Sequence, residues 1–156
     1  MDNIEYKKLE NNEITQTKDL IMEYIKWLNM DLCFQNIDDE LNNFPQKYKE
    51  PDGTFIIAKD NNLVVGCVGL RKIKNEICEI KRLFVKDKYK GKNIGKKLVE
   101  IIIEEGQNKG YKKMRLDTLN IMETAVAIYK KYGFYEIEPY TYNPEKGVIY
   151  LEKILW

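Results

Sequence analysis

Hydrophobic residues change their spacing from one segment of this chain to the next, and the spacings predict alternating strands and helices. "IEYKKLE" (Ile4 to Glu10) reads as a short strand. From Thr17, a residue type suited to an N-cap, "TKDLIMEYIKWLNM" places Leu20, Tyr24, Trp27 and Leu28 on one helical face. "IDDELNNF" predicts a second short helix that closes before Pro45. Two apolar runs, "TFIIAKD" and "NLVVGCVGLRKI", flank the turn-forming Asp60-Asn61-Asn62 and predict a hairpin, its second strand apolar enough to be buried on both faces. "EICEIKRLFV" follows the Lys74-Asn75 turn as another strand. A long helix from about Ile94 to Asn108 is stopped by Lys109-Gly110. "KKMRLDTL" alternates Met114, Leu116 and Thr118 against Arg115 and Asp117, as a strand does. A helix from about Met122 to Tyr132 ends at Gly133, and "VIYLEKIL" supplies a last strand. The order β-α-α-β-β-β-α-β-α-β-β describes an α/β fold, a mixed sheet with helices on its faces.

Composition narrows the classes. The 156 residues suit one domain over 1–156, and 44% apolar with 33% charged residues is a soluble, folded composition. A net charge of +1 gives no global field toward nucleic acid or membrane, and no apolar run nears the roughly 20 residues of a membrane span. "MDNIEYKKLE" lacks the apolar core of a signal peptide, so a cytoplasmic protein is expected. Cys33, Cys67 and Cys78 form no CxxC pair and read as small buried hydrophobes. There is no histidine, which excludes Ser-His-Asp and Cys-His catalysis and most catalytic zinc sites. No metal is expected, and acid–base chemistry falls to carboxylates, tyrosines, lysines or water.

One stretch, "VKDKYKGKNIGKKLVEIIIEE" (Val85 to Glu105), departs from the ordinary pattern by setting lysines and two glycines at the mouth of a helix. Glycine lets backbone approach a ligand, and a helix N-terminus offers unpaired N–H groups carrying about half a positive charge. Strand, glycine turn and helix together make a phosphate cradle. "GKNIGKK" has one residue too few between its glycines for a nucleotide P-loop and a lysine in place of the Ser or Thr. A dinucleotide GxGxxG fails too, because Asn93 stands where a second glycine belongs. On these residues alone, a solvated lysine-rich turn before an amphipathic helix explains the stretch equally well.

With its neighbours, the stretch resembles motif A of the GNAT superfamily of acyl-CoA N-acyltransferases, Gln/Arg-x-x-Gly-x-Gly/Ala after a strand. The matching run is Lys90-Gly91-Lys92-Asn93-Ile94-Gly95, with Lys90 in place of Gln/Arg and Asn93 in place of the central glycine. Asn tolerates left-handed backbone better than most residues, so the turn is expected to keep its shape. "EIKRLFV" resembles the family's fourth strand, and "LDTLNIMETAVAIYKKYGF" resembles motif B through Ala125, Ile128, Tyr129, Gly133 and Phe134. "NPEKGVIYLEKIL" is similar to the end of many bacterial members, so the resemblance spans the chain. It implies a sheet that splits after its fourth strand and admits coenzyme A into a V-shaped gap. Acetyl-CoA is then the implied cofactor. Its pyrophosphate would lie on Lys90, Gly91, Lys92, Asn93, Ile94, Gly95 and Lys96, and its pantetheine arm along Leu83, Phe84 and Val85.

Transfer to an amine needs a neutral nucleophile, a polarised thioester carbonyl and a proton for the leaving thiolate. An amine of pKa near 10.4 is neutral in only about one molecule per thousand at pH 7, so a general base assists. The resemblance places Glu79 at the base position of several GNAT branches; the structural alternative is an ion pair with Lys81, on the same strand face. Arg82, on the opposite face in a regular strand, reads as the anchor of another carboxylate unless a bulge near Leu83 redirects it. Tyr129 matches the motif B tyrosine that serves the coenzyme sulfur. Candidates for the acceptor side are Trp27, Phe34, Gln35, Lys81, Tyr140 and Tyr142, although such aromatics also serve as core. The expected activity is acetyl transfer to a small-molecule amine or amino-acid-like acceptor by direct attack in a ternary complex, by a monomer or homodimer without nucleic-acid or membrane partners. A catalytically weak acyl-CoA-binding module and a protein-amine acetyltransferase remain as alternatives.

Overall fold

A computed structural model describes residues 3–28 and 37–155. Strands β1 (Ile4–Lys8), β2 (Thr54–Asp60), β3 (Leu63–Lys74), β4 (Ile77–Val85), β5 (Lys113–Leu119), β6 (Tyr135–Ile137) and β7 (Val148–Ile154) form one sheet in the order β1-β2-β3-β4-β5-β7-β6. Four helices accompany it: α1 (Ile14–Leu28), α2 (Ile37–Asn42), α3 (Ile94–Asn108) and α4 (Glu123–Lys131). Every neighbouring pair of strands is antiparallel except β4 and β5. This is the mixed α/β architecture expected from the periodicity.

Two apolar layers sandwich the sheet. On one face Ile56, Val65, Val68, Leu70 and Ile80 pack with Leu98, Ile102 and Tyr129 of α3 and α4. On the other, Phe55, Ile57, Val64, Cys67 and Phe84 pack with Leu20 and Ile21 of α1 and with Ile37 and Leu41 of α2. The long apolar β3 supplies both layers, which is why it shows no simple alternation. In α3, Ile94, Leu98 and Ile102 recur every fourth residue and are buried, so the helix bounds were readable. Gly106 lets α3 press on β5, because a Cβ there would stand 2.7 Å from Met114 Cε.

Two expectations need correction. Helix α1 starts three residues before Thr17, which is buried inside it and donates its hydroxyl to the Glu13 carbonyl at 2.8 Å. Back-bonding of this kind satisfies a threonine within a helix, so the residue type did not mark the start. A 3-10 turn over Asn11–Glu13 leads into the helix instead, and at its mouth the Glu10 N–H donates to Glu13 Oε1 at 3.0 Å. Second, Trp27 is not on the buried face: it is 54% exposed, whereas Thr17, Leu20 and Ile21 are buried. Strand β6 is the first of the two strands that end the expected order, although its three residues are too few to show a period and so to mark its bounds.

Glu13 is also a stability element. Burial would raise its pKa, but hydrogen bonds from Lys59 (2.7 Å) and Lys7 (2.8 Å) overcome that and lower it to about 2. A depressed carboxyl stabilises the fold above its unfolded value and loses that contribution as pH falls from about 4.5 to about 2. Glu13→Gln is expected to remove on the order of 2 kcal/mol at neutral pH and to flatten stability over that acid window, as urea unfolding at several pH values would report.

Candidate active site

Strands β4 and β5 pair in parallel only from Ile77↔Lys113 to Glu79↔Arg115, although β4 continues to Val85 and β5 to Leu119. Beyond that point the sheet opens. Lys81 to Phe84 and Leu116 to Leu119 line the opening, with Tyr24 and Leu28 of α1, Met122, Ala125 and Tyr129 near or on α4, and Asn143. Helices from opposite faces of the sheet thus reach one cleft through the gap between two strands. Its cavity volume of about 140 Å³ suits the reacting end of a ligand rather than a whole one, since drug-sized pockets run to roughly 300–1,000 Å³.

A bulge shapes the β4 side. Register with β3 shifts between Cys67↔Phe84 and Gly69↔Lys81, so β4 carries one extra residue there, and Arg82 takes φ +59°. The extra residue turns Arg82 toward α2, where its Nε and Nη2 donate to the two carboxylate oxygens of buried Glu40, each at 3.0 Å. Arg82 is therefore the carboxylate anchor expected from the sequence, and the bulge near Leu83 is present. Tyr24 stacks on Phe84 with ring centroids 3.6 Å apart and points its hydroxyl at Met122 Sδ, 3.8 Å away. Burial raises the pKa of Tyr24 to about 12. Tyr129 is raised further by burial, assisted by Tyr24 and Asp117, and among the described residues its hydroxyl has no hydrogen-bond partner. Such a phenol stays protonated and free to donate.

Behind the cleft lies a chain of charges. Glu79, 1% exposed, accepts from Arg71 Nε at 2.7 Å and from the Tyr140 hydroxyl at 2.6 Å. Lys81 Nζ lies 4.0 Å from Glu79 and 3.5 Å from Asp117, whose other oxygen accepts from Asn143 at 3.0 Å. Tyr140 is held edge-on against Tyr150 and lies under the Arg115 guanidinium. Its phenol is raised by burial and then by Glu79. Burial also raises the thiols of Cys67 and Cys78, the latter to about 12, so both are protonated at neutral pH. Cys33 lies outside the described residues.

The turn before α3 has the expected backbone. Asn93 is left-handed at φ +65°, ψ +17°, and its carbonyl takes the first helical bond from Lys97 at 3.0 Å. Gly91 is at φ +82° with open space where a side chain would stand. Asn93→Gly is expected to leave thermal stability within about 1 kcal/mol, whereas Asn93→Val costs about 1–2 kcal/mol through left-handed strain; melting curves of the two variants check this. Lys90 is engaged, paired with Asp87 at 2.9 Å and set 4.5 Å above the Trp27 ring.

The family model described as "Acetyltransferase (GNAT) family" matches residues 20–134. The chain belongs to the GNAT acetyltransferase family. An uncharacterized N-acetyltransferase of Schizosaccharomyces pombe is 40% identical over 89% of this chain and 86% of its own. Another, from Dictyostelium discoideum, is 34% identical over 91% of this chain and 94% of its own. Among solved structures, a GNAT-family acetyltransferase of Staphylococcus aureus superposes with a TM-score of 0.83 at 22% identity, covering 99% of this chain and all of the other. The PaiA N-acetyltransferase of Thermoplasma acidophilum, solved with coenzyme A, superposes at 0.77 with 22% identity, covering 97% and 99%. This GNAT protein is accordingly an acyltransferase, an N-acetyltransferase by family.

In this GNAT protein Leu83, Phe84, Lys81 and Tyr129 share the cleft, whereas Lys90 to Lys96, the turn and first helical residues of α3, are not in its lining. Glu79 is just behind the cleft, at the last β4–β5 pair, and Tyr140 is bonded to it. Trp27 is away from the Glu79 group, packed against Lys90. Tyr142 is exposed, and Phe34 and Gln35 lie outside the described residues. Sequence reasoning did not single out Tyr24, Asp117 or Asn143 for the cleft. Asp117 had a signal: it is an ionisable residue near the end of an alternating strand, where parting strands expose side chains.

Proposed function

We propose that this GNAT enzyme transfers the acetyl group of acetyl-CoA to a primary amine of a small-molecule or amino-acid-like acceptor, by direct attack in a ternary complex. The observation that carries the reading is the parting of β4 and β5 after Glu79 and Arg115, which opens a cleft lined by Tyr129, while the first turn of α3 sets Gly95 against Val85 at the end of β4 and Ile128 of α4. The pantetheine arm runs along Leu83 to Val85, whose edge β5 leaves unpaired, and the pyrophosphate rests on Gly91 to Lys96. Gly95 supports this placement: a Cβ there would meet only Val85 and Ile128 atoms, at 3.8 and 3.9 Å. The protein itself leaves room for a methyl group, so the glycine serves the approach of a ligand.

The chain's residues divide the chemistry. Arg71 and Tyr140 each occupy one Glu79 oxygen, and a carboxylate has about four acceptor sites. Glu79 can therefore still accept a proton from the amine through an intervening water. Tyr129 donates to the sulfur as it leaves, and the bulge backbone polarises the carbonyl. Lys90 contributes point charge once phosphate draws it from Asp87 and Trp27. A screen of free-thiol release from acetyl-CoA across amines, amino acids and aminoglycosides tests the reading, with calorimetric coenzyme A binding in parallel. Release with one acceptor class is expected. Tight coenzyme binding without release on any acceptor overturns the enzymatic reading and leaves a binding module.

A further inference from the structure

Arg82 sits in a backbone conformation that few residues other than glycine adopt, φ +59°, in a strand lining the cleft. Strain of this kind persists only where the surroundings over-determine it. Contacts of both its backbone and its side chain pin this residue. The Cys67 thiol donates to the Arg82 carbonyl at 3.2 Å, and the guanidinium makes a two-pronged pair with Glu40. Glu40 is itself braced by the Tyr48 hydroxyl at 3.0 Å, and all of Glu40, Arg82 and Tyr48 are buried. Burying an ion pair is a poor route to stability compared with apolar packing, so its presence at the bulge asks for another reason.

We propose that the Glu40–Arg82 pair is a latch that holds the β4 bulge open toward the cleft, making Glu40 a positioning residue for acyl transfer. The inference rests on the reading that the thioester lies along β4. Without the latch, Arg82 relaxes toward regular strand geometry, and the backbone around Leu83 and Phe84 turns away from the thioester carbonyl. Glu40 belongs to α2, on the side of the sheet opposite α3 and α4, so the latch also ties that helix to the acyl site. A misaimed donor costs rate rather than coenzyme affinity, because coenzyme A has no carbonyl at that point.

The test compares wild type, Glu40→Gln and the paired replacement Glu40→Met with Arg82→Met. Glu40→Gln strands a buried guanidinium and lowers the melting temperature, so alone it does not separate folding from aim. The paired replacement, made together with Tyr48→Phe so that the buried Tyr48 hydroxyl is not stranded, removes both charges and is expected to recover the melting temperature while kcat stays roughly tenfold to hundredfold below wild type. Coenzyme A affinity is expected within about twofold of wild type throughout, since one latch outside the phosphate turn does not touch uniform binding. Recovery of kcat together with the melting temperature overturns the latch and leaves mere charge compensation. Parallel loss of kcat and coenzyme affinity in the paired variant overturns it too, as a general distortion of the cleft. A wild type that neither binds coenzyme A nor releases thiol overturns the functional reading itself, an outcome distinct from both.

Discussion

Glu79→Gln is expected to lower kcat/KM by roughly 10²–10³-fold at pH 7 and by far less near pH 10. With a carboxylate base, the proton leaves nitrogen through the water as the C–N bond forms, so the step need not wait for a free neutral amine. Without one, it must wait for the neutral amine, about one molecule in a thousand at pH 7. The variant rate therefore climbs about tenfold per pH unit until the amine titrates, where the two enzymes converge. A pH series of thiol release from pH 6.5 to 10 reads this directly. The competing view is structural, because Glu79 neutralises Arg71 and orients Tyr140. That view predicts the same fractional loss at every pH. A parallel profile would remove the base role from Glu79 and pass it to Asp117, the carboxylate that lines the cleft itself. Asp117→Asn would then show the pH-dependent deficit instead.

The sequence disclosed local features well and long-range pairings poorly. The strand pattern and the α3 bounds follow from spacing and residue chemistry within a few positions, and the left-handed Asn93 from the resemblance to motif A, whose central glycine it replaces. Arg82 as an anchor was legible because a buried arginine needs a carboxylate, yet nothing local pointed to Glu40, 42 positions away. The same limit hid Arg71 and Tyr140 as the partners of Glu79, 8 and 61 positions away, and left Lys81 as the nearest guess. In the structure Lys81 is the loose partner, 4.0 Å from Glu79 and nearer to Asp117. Adjacency along a strand gives a shared face but not the best geometry, because the neighbouring strands supply partners that sequence spacing cannot rank. Trp27 shows the reverse error: its helical phase suited the core, but the buried stripe of α1 is narrow and the indole stays outside it.

Tyr129→Phe is expected to lower kcat roughly ten- to hundredfold, with coenzyme A affinity within about twofold. The raised phenol fixes what kind of help it gives. Burial, with Tyr24 and Asp117 nearby, makes Tyr129 harder to ionise than an ordinary tyrosine of pKa about 10. A thiolate with a thiol pKa of about 8.5 is too weak a base to strip that proton at equilibrium. The proton that ends on sulfur must come from the attacking nitrogen, which becomes strongly acidic once acylation begins. In the proposed mechanism Tyr129 instead donates a hydrogen bond to charge growing on the sulfur, an interaction made in the transition state and scarcely present in the ground state. Its hydroxyl has no competing partner among the described residues, so no bond is broken to make it available. Two signatures follow: kcat falls while KM for acetyl-CoA holds, and the alkaline limb of the pH profile stays where it is in wild type. An alkaline limb that disappears in Tyr129→Phe would instead mark the phenol as a titrating acid, and equal losses in kcat and coenzyme affinity would reduce it to a packing residue against Phe134.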